Sequence, residues 1–230
     1  MRLISKLRGL SALRVSPDEA MPQGGILFPS VISALKETYK FTVFPQLGPG
    51  MNPVLQPAPI GVGFQNGEFE ADGNRIGILQ LQIFLNGIVV VSQSTDMSDL
   101  IIGDVTKLLD SKFGFRFGQA EGQKAHISNL VVQFDKAVED AIPQLKKIQQ
   151  IFFDASQPED NGKKPLTVKN LAFGGQNQPV INPLQANLMD FSIERRSGAP
   201  FSSNRYFSGA PLETDHHIRV LEEIERALLD

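Results

Sequence analysis

Three histidines, His126, His216 and His217, are the side chains of this chain best suited to proton or metal chemistry. Two of them fall in the run Glu213-Thr214-Asp215-His216-His217, at the start of a helical pattern. Adjacent residues on a helix point about 100° apart, so His216 and His217 are poorly placed to grip one ion. A helical metal pair wants a spacing of four, as in His-Glu-x-x-His, and that spacing is missing. Asp215 or Glu213 with one of the pair and the distant His126 can still assemble a site. His126, Asp215, His216 and His217 are therefore the candidates for a metal-dependent hydrolase. The more common role of such a cluster is local: acids favour the positive end of the helix dipole, and the histidines are solvated or hydrogen-bonded.

A second cluster suits recognition. Arg195, Arg196, Asn204, Arg205 and Tyr206 lie close together around a turn, with Phe201 and Phe207 beside them. Guanidinium forks match carboxylates or phosphates, and aromatic rings can seat a partner side chain. These five residues are the candidates for partner binding. The competing reading is structural, with the arginines paired to Glu194, Glu213 or Asp215.

Other chemistry lacks support. No Gly-x-Ser-x-Gly elbow occurs, and there is no cysteine, which removes thiolates, disulfides and Cys-zinc sites. Gly61-Val62-Gly63-Phe64-Gln65-Asn66 fails the dinucleotide fingerprint, because Asn66 stands where the third glycine belongs. No metal site or cofactor is expected. A net charge of −3 gives no general attraction to nucleic acid, and no apolar run is long enough to span a bilayer. A cysteine-free chain suits a reducing compartment, and a cytoplasmic protein is expected.

The elements that must position these residues are clearest from Arg75 to Phe117. Apolar and polar residues alternate from Leu79 to Ile83, placing Gln80 and Gln82 on one face of a strand. Asn86-Gly87 closes a hairpin, and Ile88 to Val91 return as the next strand. One of Ser94, Thr95 and Asp96 caps a helix running to Lys112, and Gly114 is a natural left-handed stop. Gln65-Asn66-Gly67 gives a second hairpin signal, predicting a four-strand meander from about Ile60 to Val91. Pro45 to Pro59, with five prolines, reads as a long contact loop.

Further strands are predicted at His126–Phe134, Leu166–Phe173, Leu188–Arg196 and Arg205–Ser208. Helices are predicted at Val31–Lys40, within Lys136–Phe153 around Pro143, and at Asp215–Leu229. Met1 to Arg14 carries Arg2, Lys6, Arg8 and Arg14 without an acid, and Leu3, Leu7 and Leu10 recur at helical spacing. It reads as a basic amphipathic helix that packs on its own domain or docks on an acidic partner or a membrane surface. Val91–Leu109 and Phe207–Leu229 echo each other: strand, serine-containing loop, Thr-Asp, amphipathic helix.

The expected fold is α+β, a mainly antiparallel sheet of hairpins with amphipathic helices mostly on one face. It forms a single domain over residues 1–230, with residues 156–164 the place for any subdivision. The expected function is a non-enzymatic binding or assembly protein working through protein contacts, as an oligomer or a subunit of a larger complex.

Overall fold

Residues 2–14 do not form a helix. In the computed structural model, which describes residues 1–20, 28–45, 62–71, 73–142, 144–145, 147–148, 150–151, 168–174 and 190–229, they form the strand β1 (Arg2–Arg14). Seven more strands follow: β2 (Val62–Ala71), β3 (Asn74–Phe84), β4 (Gly87–Ser92), β5 (Gln123–Gln133), β6 (Asn170–Phe173), β7 (Phe191–Arg195) and β8 (Arg205–Ala210). They make one antiparallel sheet in the order β2-β3-β4-β1-β5-β8-β7-β6. The α+β expectation therefore holds, and β1 lies at its centre between β4 and β5.

The helical reading of this segment failed because leucine spacing records only local periodicity. The segment satisfies its backbone groups on two neighbours instead. Register shifts between Leu3 and Ser5 and between Lys6 and Arg8 mark bulges in β1. They let Leu3 and Lys6 share a face despite their odd spacing.

Gly9 is required by packing. A Cβ there would lie 2.1 Å from the backbone of Ser94 and Thr95, where a long helix begins. That helix is α3 (Thr95–Phe113), capped by the Ser94 side chain and stopped by Gly114 at φ +70°. The others are α1 (Pro17–Ala20), α2 (Phe28–Tyr39) and α4 (Thr214–Leu229). Of the pattern around Pro143, a 3-10 turn spans Val138–Ala141, and the described residues among 144–151 are helical.

The expected hairpin at Gln65-Asn66-Gly67 is absent, and the meander has three strands. β2 runs straight through, with Gln65 opposite Gln80 and Gly67 opposite Ile78. Asn66 adopts a left-handed φ of +54° inside the strand. The kink makes room for a neighbour: a Cβ on Gly67 would meet the Phe41 ring at 2.4 Å. Asn-Gly is thus spent on admitting Phe41, while Val43 bridges to Gln65. In the β3–β4 hairpin, Phe84 pairs with Gly87, so Leu85-Asn86 forms the two-residue turn, one position earlier than expected.

α1, α2, α3 and α4 bury one face of the sheet. Ile101, Val105 and Leu109 of α3 and Leu35 of α2 pack with Leu81, Ile88 and Val90. Leu221 of α4 packs with Leu130, Val132, Phe134 and Ile193. The proline-rich segment, other than Pro45 itself, and the region around 156–164 lie outside the described residues.

The chain order repeats itself. β1, helices, three strands and α3 are followed by β5, helical turns, three strands and α4. The sheet order is a palindrome of the two halves, meeting where Gly9 pairs with Ser128. The echo seen in the sequence thus corresponds to equivalent places: β4 leads into α3 as β8 leads into α4.

Candidate functional site

The two helix starts meet over the β1–β5 seam. The Thr95 backbone N–H donates to Thr214 Oγ1 at 3.0 Å, and the Thr214 N–H donates to Thr95 Oγ1 at 2.8 Å. One turn further, Ser98 donates its hydroxyl to the Gly9 carbonyl at 2.9 Å. The matching residue of α4 is His217. Here the facing strand carries Ser128 instead of glycine.

His217 is fully buried. Its Nδ1 lies 2.7 Å from Ser128 Oγ and its Nε2 lies 2.9 Å from Ser208 Oγ. Ser208 already donates to the Ser192 carbonyl at 2.7 Å. Its oxygen must therefore accept from Nε2–H, which leaves Nδ1 to accept from Ser128. The ring is held neutral, and burial pushes its pKa down to about 4.

The other proposed catalytic groups are dispersed. His216 is exposed, and Asp215 pairs with Lys6 at 3.5 Å. His126 places Nε2 3.0 Å from Asp99 Oδ2 on α3, with Glu213 3.9 Å from its other nitrogen. Its side chain is 12% exposed. Asp99 was invisible as its partner because the pairing is made across the sheet–helix interface. Among the described residues, no three His, Asp or Glu side chains are arranged to hold a metal ion.

The arginine cluster splits across the sheet. Arg195 pairs with Tyr206 in register, so both face the helix side. Their neighbour Arg205 faces the other way. Arg195 pairs with Glu139 of the 3-10 turn, a partner 56 positions away that sequence reading missed. Its Nη1 donates to the Phe201 carbonyl at 2.7 Å, and its Cζ lies 3.6 Å from the Phe201 ring centre. Tyr206 receives Arg195 Nη2 and the Val138 N–H, and donates to Glu139 Oε2 at 2.7 Å. Burial first, then the Glu139 hydrogen bond, raises the Tyr206 pKa. This network ties the 3-10 turn to the β7–β8 hairpin. Arg196 is exposed, and Asn204 sits in a left-handed turn, donating to the Asp135 carbonyl at 3.4 Å.

The sheet face opposite these four helices has a different character. Alternation and register place Arg2, Arg8 and Arg14 of β1 there, together with Arg205 of β8. Between them, Ala12 and Val89 form a small buried cluster with Leu10, Phe84 and Ala125. Gln80 and Gln82 share this face, as their alternation predicted. The four middle strands carry no acid on it. The sequence matches no protein-family model, and no curated protein matches it at a significant level. Among the described residues, no helix is long and apolar enough to cross a membrane.

Proposed function

We propose that this is a non-enzymatic binding protein of the cytoplasm that works through contacts with other protein chains, as an oligomer or a subunit of a larger assembly. The observation that carries the reading is the face of β4, β1, β5 and β8, with four arginines and no acid. A net charge of −3 leaves such a face as a local feature with a sign opposite to the whole. The neutral, doubly hydrogen-bonded His217 suits a positioning role better than proton transfer. The cysteine-free composition is what supports a reducing compartment. The test is the native mass of the protein isolated from its source cells. A stoichiometric complex or a defined oligomer is expected, and a monomer with no co-isolating chain overturns the proposal.

A further inference from the structure

One row of side chains on the arginine-bearing face is built like a receptor for anionic oxygen. Gln133 of β5 pairs with Arg2 on one side and with Arg205 on the other, so the three stand in line across neighbouring strands. Directly paired residues have Cβ atoms about 5 Å apart. Both guanidiniums therefore rise beside the same amide. Arg2 donates to Gln133 Oε1 at 2.9 Å, which turns the donor end of that amide free. Arg205 Nε is a buried donor with no acceptor. Buried donors are nearly always satisfied, so an orphan beside a second arginine marks a place where an acceptor belongs. Neither arginine forms an ion pair among the described residues, although Glu194 stands on the same face, one strand away and diagonal to Arg205.

We infer that Arg2, Gln133 and Arg205 form a carboxylate-docking site for an acidic segment of a partner protein. This rests on the binding reading above and names the class of partner. Two planar forks about two strand spacings apart, roughly 10 Å, with an amide between them, can hold a carboxylate through charge-assisted hydrogen bonds. The next row adds Phe207, a half-buried apolar ring paired with the buried Val131 and suited to a neighbouring leucine or valine of the same segment. A nucleic acid fits less well. Opposite Arg2, Arg8 and Arg14, the β5 partners are Gln133, Asn129 and Gln123, so the arginines stand about 13 and 20 Å apart. A phosphate chain needs closer basic spacing.

The experiment uses the full chain and a fluorescein-labelled peptide rich in Glu with interspersed Leu, followed by anisotropy at low salt. Saturable binding is expected, weakened tenfold or more by Arg205→Gln and by Arg2→Gln. Arg116→Gln, an exposed arginine beyond α3, should stay within twofold. Arg2 is exposed, so its variant keeps the test valid if Arg205→Gln fails to fold. No saturable binding overturns the inference, as does an equal loss in all three variants. Tighter binding of single-stranded oligothymidylate, lost in the same two variants, overturns the assignment to a protein segment. Should the peptide fail while the Arg2→Gln protein keeps its native complex mass, this site is wrong and the broader binding reading stands.

Discussion

Thr95 and Thr214 cap each other's helices. Each backbone N–H is satisfied by the other's hydroxyl, although 119 positions separate them. Thr95→Val removes an acceptor and strands a buried N–H of α4, at a cost of about 2 kcal/mol. Thr214→Val should cost a similar amount. The double variant should cost clearly less than the two together, because the second change removes an interaction already broken. Urea unfolding of the four proteins measures this, and full additivity would refute reciprocal capping.

His217 predicts an acid-sensitive stability. Its pKa falls from 6.5 in the unfolded chain to about 4 when folded. The unfolded state therefore binds the proton first. The contribution is complete above pH 6.5 and is lost as pH falls toward 4, by about 3 kcal/mol. His217→Gln should be less stable than wild type at neutral pH, and the gap should close steadily on acidification. Chemical denaturation at pH 7, 6 and 5 would show it; a gap independent of pH would contradict the buried neutral ring.

Gly9→Ala should be among the most damaging small changes in the chain. The new methyl meets backbone, which cannot rotate away. We expect a loss of roughly 3 kcal/mol or more, in the range of severe overpacking. Gly77→Ala is the control, since its Cβ would meet nothing within 4 Å. Its melting temperature should stay close to that of wild type.

Glu139→Gln leaves the Arg195 guanidinium in a nearly buried position without its counter-charge. Breaking such a pair from one side costs about 3–5 kcal/mol. Tyr206→Phe should cost less, about 2–3 kcal/mol, because it removes the bond donated to the Glu139 carboxylate and those accepted from the Val138 N–H and Arg195 Nη2 without stranding a charge. Both variants should leave peptide binding at Arg2 and Arg205 intact, since that face lies across the sheet.

What could be read in advance was what neighbours in sequence decide. The Ser94 cap, the Gly114 stop and the β3–β4 hairpin follow from residues within a few positions of one another. Distant contacts decide the rest. The Arg2–Arg14 segment has leucines at helical spacing and becomes a strand because β4 and β5 flank it. Asn66-Gly67 has turn chemistry and is used for Phe41 instead. The Arg195 and Arg205 clustering was misleading in a way the strand period could have revealed. Tyr206 separates them by one residue from Arg205 and by one register pair from Arg195, which puts the two arginines on opposite faces. Glu139, Ser128 and Asp99 had no local signal at all.

The central position of β1 sets an order of events during synthesis. β1 is made before both of its neighbours and pairs with Gly87–Ser92 and Gln123–Gln133, so its second edge stays open until more than a hundred further residues have emerged. Such long waits slow folding and leave a strand edge available to other nascent chains. Arg2, Lys6, Arg8 and Arg14 then have a task before any partner arrives. Charges of one sign along an unpaired strand keep two copies from zipping together. Neutralising all four should lower the yield of soluble protein even where the finished fold tolerates the change.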